Sequence, residues 1–477
     1  MRYATRIGVS TLAISAFVAS AAAAQEFNWR QFEGEEIYGL VFAAPYTDSW
    51  MKPQVEEFEE LTGITVQIEA MVDTQMRKKQ DIILAGQDSS LDFYTLQMDN
   101  RGGALTSAGY LEDLQPYLDD PTLTPADYNY PEDWAGGCLN TVKVIKGQSL
   151  NNLVFSAQAQ LLHIRKDLFE EHGVKIPATM EELEAAAKAL TIKDADGNVE
   201  MYGFLSRGWG RLTTASFATY LFNHGASWFR FEEDGTRVAN IDSPEAIDAF
   251  EFYGRMIRDY GPAAALNNRP EANAAMFAAG KTAMLSALNY YIYQFEDPNR
   301  SRVAGKVATI LVPSGPGGSF PNTPTTSLAI SPFSKHKKAA WLFIAWITQK
   351  EQMLYGMKNG APMCRKSVWT DPEYTPPTPS WGESAQIAID YGIAIAKPQA
   401  IAISEMRDAV GEVVNVAIRD GSRAAIEAEA KKQAAVMNQL IAQTEKGVDF
   451  QGPFRGDRVS VPPEKQVLPI EAIDMSH

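Results

Sequence analysis

Aromatic side chains set in polar or glycine-rich stretches are the residues of this chain best suited to chemistry. Trp209 sits in Ser206-Arg207-Gly208-Trp209-Gly210, and Trp228 follows Gly225-Ala226-Ser227. Asn289-Tyr290-Tyr291 follows the apolar run Leu285 to Leu288. A flat ring covers the C–H face of a sugar or polyol, while Asp, Asn, Gln and Arg bind its hydroxyl edges. Core packing is the competing use of each ring. Trp341 and Trp346, on an apolar helical stripe, read as core. Trp209, between glycines, reads as a site residue. Tyr290 and Trp228 fit a site wall or the core.

The motifs of catalysis are missing. No G-x-S-x-G nucleophile elbow is present, nor an HExxH zinc-protease motif. Gly280-Lys281-Thr282 matches the end of a phosphate loop but lacks its earlier glycine. Asp194-Ala195-Asp196-Gly197-Asn198 lacks the rest of a calcium loop and reads as a turn. The five histidines show no metal-ligand spacing with the two cysteines, so neither metal nor cofactor is expected. Paired carboxylates for glycoside hydrolysis remain an alternative, since 59 acidic residues always supply a plausible pair.

The elements that must position these residues alternate. Glu36 to Ala43 reads as a buried strand, followed by a turn and a helix that Gly63 stops. Ile64 to Ile68 and Leu91 to Leu96 read as strands, with a helix from Met76 to Ala85 between them. Such alternation predicts an α/β layer with a mostly parallel sheet, whose ligands sit outside the carboxyl ends of the strands. Tyr46 and Asp48 follow the first strand, and Asp99 and Asn100 follow the third; both loops become candidate ligand walls. Val142 to Ile145, Leu153 to Phe155 and Gln160 to Ile164 read as further strands. Thr179 with Glu182 predicts a capping box, and Ser243-Pro244 a second helix start. Glu405 to Thr444 reads as one or two helices.

The net charge of −16 argues against nucleic acid or an anionic membrane as partner. Cys138 and Cys364 could form a disulfide if exported, but spacing alone does not bring them within bonding distance. Export itself is predicted by the first residues. Arg2 and Arg6 precede an apolar run from Ile7 to Val18, and Ala22-Ala23-Ala24 offers a cleavage site: the pattern of a secretory leader, residues 1–24, removed before Gln25. No cysteine near the cut would carry a lipid. Removing the leader leaves roughly 450 residues, enough for about two to three domains.

Several segments resemble the extracellular solute-binding proteins of ABC importers, in the group that captures sugars and polyols. Ser156-Ala157-Gln158-Ala159-Gln160 with Arg165-Lys166-Asp167-Leu168-Phe169 resembles the family's first interlobe crossing. Pro177-Ala178-Thr179-Met180-Glu181-Glu182-Leu183, Gly280-Lys281-Thr282-Ala283-Met284 and Gly360-Ala361-Pro362-Met363-Cys364-Arg365 resemble three later family elements, in the family's order. The chain departs from the pattern at His163-Ile164-Arg165. The resemblance implies a type II periplasmic-binding-protein fold: two α/β lobes, 25–156 plus 314–348 and 157–313 plus 349–477, with ligand between them. It implies a monomeric, non-enzymatic carrier in the periplasm that delivers a carbohydrate or sugar alcohol to an inner-membrane permease. Tyr46, Asp48, Asp99 and Asn100 would line the first lobe, with Gln158 at the crossing. Trp209, Trp228, Asn289 and Tyr290 would come from the second lobe. Arg365 would bind ligand or hold a structural carboxylate. An exported glycosidase or lyase, or a binder of an amine or phosphorylated polyol, are the alternative readings.

Overall fold

The computed structural model describes residues 26–44, 46–140, 142–393, 397–450 and 459–466. The predicted leader lies outside them. Two sheets organise the chain. Strands β1 (Glu36–Phe42), β2 (Thr65–Met71), β3 (Phe93–Leu96) and β4 (Leu153–Ala157) join a late strand in a five-stranded sheet. Strand β5 (Gln160–Arg165), two residues after β4, starts a second sheet with β6 (Met284–Leu288) and β7 (Val307–Leu311). The chain then returns to the first sheet as β8 (Thr325–Ile330). Strand orders are β2-β1-β3-β8-β4 and β6-β5-β7. Strand β1 runs parallel to β2 and β3, while β8 is antiparallel to β3 and β4. This is a two-lobed α/β fold.

The parallel half needs cover on both faces, and β1 supplies two apolar faces by alternation. Ile37 and Val41 enter the main core, while Leu40 and Phe42 enter a second cluster with Met76 and Leu84 of the Asp73–Ala85 helix. Gly39 is required here: a Cβ would sit 2.1 Å from the Phe93 ring. The helix Lys337–Ile347 is buried all round from Ala339 onward, which explains its lack of a polar face.

Helix starts and stops follow local chemistry. Thr179 Oγ1 accepts from the Glu182 backbone N–H at 3.2 Å, and Glu182 Oε2 accepts from Ala178 N–H at 2.7 Å. Gly63, at φ 73°, ends the helix Val55–Thr62. The tail forms two helices, Ile403–Arg419 and Arg423–Thr444, separated at Gly421 with φ 74°. Asp194 accepts the backbone N–H groups of Asp196 and Asn198, closing an Asp-Gly turn.

One expected strand is absent. Val142–Ile145 forms no ladder, because side chains take its backbone groups instead. Gln148 Oε1 accepts from the Val144 and Ile145 N–H groups, while Gln148 and Asn152 amides donate to the Val142 carbonyl. The two cysteines are buried side by side with no disulfide between them. Burial, with the Cys138 thiol as neighbour, raises the Cys364 pKa well above the usual thiol range. Among the described residues, no helix is long and apolar enough to cross a membrane, and no group of three His, Cys, Asp or Glu side chains could hold a metal.

Candidate functional site

The carboxyl ends of β1, β3 and β6 and the start of β8 bring loops from both sheets to one gap. Beyond β1 the chain turns tightly. Thr47 Oγ1 donates back to the Phe42 carbonyl at 2.5 Å. Tyr46 is thereby held with its ring edge-on to Phe155, centroids 5.4 Å apart. Burial raises its phenol pKa, and the Tyr290 phenol is close enough to raise it further. Tyr46 follows a strand of the five-stranded sheet and Tyr290 one of the three-stranded sheet, so loops of both sheets come close at these two phenols.

Asn289 is pinned by its backbone. Its N–H donates to Ala159 O at 2.8 Å, and its carbonyl accepts from Trp381 Nε1 at 2.8 Å. The side chain is fully buried, yet neither Oδ1 nor Nδ2 has a hydrogen-bond partner. Leaving such groups unmet costs about 1–3 kcal/mol each, so a buried amide in this state marks a place that receives polar atoms from elsewhere. Beside it, the Tyr290 ring lies 4.5 Å from that of Tyr291, and burial raises the Tyr290 phenol pKa.

Trp209 keeps about a third of its surface open, 36 %. Its two glycine neighbours are needed: a Cβ on Gly208 would approach the Ala265 carbonyl oxygen to 2.9 Å, and Gly210 has φ 46°. The Arg269 guanidinium stands 5.4 Å above the indole. Gln158, at the crossing between β4 and β5, is tied by its N–H to the Pro324 carbonyl at 2.8 Å and is half-buried.

Beyond β3, Asp99 and Asn100 are buried. Asp99 is engaged: Lys397 Nζ donates to its two oxygens at 3.1 and 3.2 Å and to Gln97 Oε1 at 3.3 Å. Burial lowers the Lys397 pKa against the pull of Asp99. Lys397 leads into the helix Ile403–Arg419, which packs on the Pro244–Tyr260 helix and the Gly210–Thr213 turn. The Asp99–Lys397 pair therefore ties the end of β3 to the segment that precedes this helix. Arg407, on the same helix, donates to Thr214 Oγ1 at 3.1 Å and to Arg211 O at 3.0 Å. Burial, then the Arg77 guanidinium nearby, pushes its pKa down to about 10.

Three of the residues expected at the site have other duties. Asp48 is exposed and pairs with Lys52 at 2.7 Å, one helical turn on, so it faces solvent. Trp228 is fully buried, its ring 6.1 Å from Phe217 and 6.0 Å from Phe222; the core takes it. Arg365 pairs with Asp133 at 2.8 Å, stacks 4.6 Å over Trp134 and donates to the Tyr128 carbonyl. It holds the 128–134 segment, the structural alternative. The residues the sequence reading missed are Arg207, Lys397 and Arg407. Arg407 and Lys397 lie more than a hundred residues from any of the aromatic loops, and a helical Arg reads as a solvated face. Arg207 stands two residues before Trp209 and was legible there.

A separate cavity of about 1280 Å³ lies among Leu118, Tyr128, Tyr130, Lys143, Asp390 and Tyr391. None of the expected site residues lines it; its walls come from the 115–143 stretch together with residues 390–393, Leu150 and Val459.

The family model for bacterial extracellular solute-binding proteins matches residues 43–354. An erythritol/L-threitol-binding protein of Mycolicibacterium smegmatis is 28% identical over 363 residues, covering 72% of this chain and 73% of the relative. A mannitol-binding protein of Pseudomonas aeruginosa is 28% identical over 310 residues, 62% of this chain and 66% of the relative. A ribitol-bound ABC transporter solute-binding protein from Agrobacterium radiobacter superposes with a TM-score of 0.73 at 24% identity. It spans 86% of this chain and 99% of its own. With two sheets in a two-lobed α/β fold and a family match over most of its length, this chain belongs to the bacterial extracellular solute-binding proteins.

Proposed function

We propose that the protein is an exported, non-enzymatic carrier that captures a sugar alcohol or sugar between its lobes and delivers it to the membrane permease of an ABC transporter. In this reading residues 1–24 are a leader cut before Gln25, and the mature chain is a periplasmic monomer. The lobes comprise 25–156 with 314–348 and 157–313 with 349–477. The observation that carries the reading is the Asn289 amide, fully buried next to Tyr290 in the chain with both its polar atoms unmet. A polyol supplies both donors and acceptors to such an amide, and C–H faces to the rings of Tyr46, Tyr290 and Trp209. The polyol-binding relatives support that ligand class. Binding drives closure only to the extent that the ligand touches both lobes.

The test is a thermal-shift and calorimetry screen of the purified chain against sugars and polyols, with recovery of the ligand afterwards. A ligand at a hundredfold excess over its Kd should add about 2.7 kcal/mol of stability and be recovered intact. Trp209→Ala should weaken binding about tenfold. A chemically altered ligand would identify an enzyme instead, and an unchanged affinity would remove Trp209 from the site.

A further inference from the structure

The chain carries 59 acidic and 43 basic residues, yet Arg77, Arg207 and Arg211 gather around the buried Arg407, and Arg269 stands over Trp209. Arg77 approaches from the first lobe; Arg207, Arg211 and Arg269 from the loops of the second; Lys397 and Arg407 from the late segment. Three of these have carboxylate partners. Arg77 pairs with Asp73 at 2.7 Å, Arg211 with Asp408 at 3.1 Å and Lys397 with Asp99 at 3.1 Å. Arg207, Arg269 and Arg407 have no ion pair among the described residues. Glu271, exposed near Tyr290, is the further carboxylate on this wall.

Arg407 is the informative member. A guanidinium taken out of water needs an anion or a full set of acceptors. Arg407 has a hydroxyl on Nε and one carbonyl on Nη2, and its charged neighbours are mostly of its own sign. Arg207 lies beside Tyr290 and Tyr291, its side chain half-buried, while its backbone carbonyl is fixed by Tyr253 Oη at 2.7 Å. Thus the loop is anchored by its backbone, and the Arg207 guanidinium, close to both phenols, has no ion pair among the described residues. Planar guanidinium groups match carboxylate and phosphate oxygens, and a gap with low-dielectric walls strengthens that attraction.

We infer that the ligand is an acidic polyol, a polyhydroxy chain ending in a carboxylate or phosphate, whose anionic end is received by Arg207 and Arg407 while its hydroxyls meet Asn289. This rests on the proposed polyol cleft and sharpens it. Ligand class then follows from two features: aromatic faces and an unmet amide for the carbon chain, unpaired cations for its end.

Calorimetry on the full processed chain at fixed ionic strength tests it. The probes are ribitol and mannitol, the aldonates ribonate and mannonate, and ribitol 5-phosphate. At least one acidic probe should bind 10- to 100-fold more tightly than the alcohol of equal length, the range expected of charge-assisted hydrogen bonds. Its affinity should fall with added salt while that of the alcohol stays constant. The tighter of aldonate and phosphate identifies the anion. Arg207→Gln should erase the ratio without lowering the ligand-free melting temperature. The ratio in the unmutated protein decides by itself should a variant misfold. Neutral polyols binding as tightly as both acids would overturn the inference and leave the polyol reading standing. Binding of none of the five would overturn both.

Discussion

Asn289 shows how a single side chain can be costly to the empty protein and useful to the filled one. Its backbone is bonded at both ends, so the side chain has little freedom to find substitutes for the partners it lacks. Replacing it with leucine, which has the same branching and number of heavy atoms, removes two unmet groups. Asn289→Leu should leave the ligand-free protein as stable or up to about 1 kcal/mol more stable in urea titrations, while weakening the ligand at least tenfold. A variant less stable than the parent yet unchanged in affinity would make Asn289 a structural residue. Residues such as Asn289, Tyr46 and Trp209 were legible in the sequence because each follows a strand or sits between glycines, where chemistry concentrates. Trp228 looked the same, following Gly225-Ala226-Ser227, but the strand it opens, Phe229–Phe231, lies over the Thr214–Asn223 helix and draws the ring inward. Local sequence reports that a loop exists, not which way its ring turns.

At the scale of elements, β5 is the central strand of the smaller sheet, and it carries a buried histidine. His163 Nδ1 lies 2.9 Å from Thr309 Oγ1 on β7. Burial lowers its pKa from the ordinary 6.5 to about 4. The folded state therefore holds the neutral ring where the unfolded chain would already take up a proton. Stability from this source is complete above pH 6.5, drains as pH falls, and is spent below about pH 4. The loss amounts to about 3 kcal/mol across that window. His163→Gln should flatten that part of the pH profile in chemical denaturation; an identical slope in both proteins would assign the acid sensitivity elsewhere. Elements were read most reliably where they carry their own punctuation: Gly63, Thr179 with Glu182, Ser243-Pro244. Val142–Ile145 misled because its apolar residues fit a ladder, while Gln148 and Asn152, several residues on, had already taken its backbone.

For the whole molecule, charge and topology act together. An acidic exterior around a cationic gap repels anions at long range and holds them at short range, so capture depends on the local geometry of the arginines. The Asp99–Lys397 pair joins the end of β3 to the late segment. Saturating ligand should nevertheless reduce the radius of gyration in small-angle X-ray scattering, as expected of closure around a bound molecule. A profile unchanged by a ligand known to bind would mean a gap already shut. The two-sheet architecture was foreseeable from strand–helix alternation together with motif order. The assembly of the cationic wall was not, because it joins residues 77, 207 and 407, and no periodicity connects positions so distant.

The crossing at Gln158 has a mechanical consequence. Strand β4 ends at Ala157 and β5 begins at Gln160, so two residues separate elements of opposite sheets. A tether that short cannot lengthen; it acts as a fulcrum, and the lobes behave as a pair of levers. Displacement then grows with distance from the pivot. Asn289, bonded to Ala159 O, sits almost on the axis and keeps its place at every angle. Residues not tied to the crossing move with their lobe, so a guest held at Asn289 is met there before the outer parts of the lobes have closed.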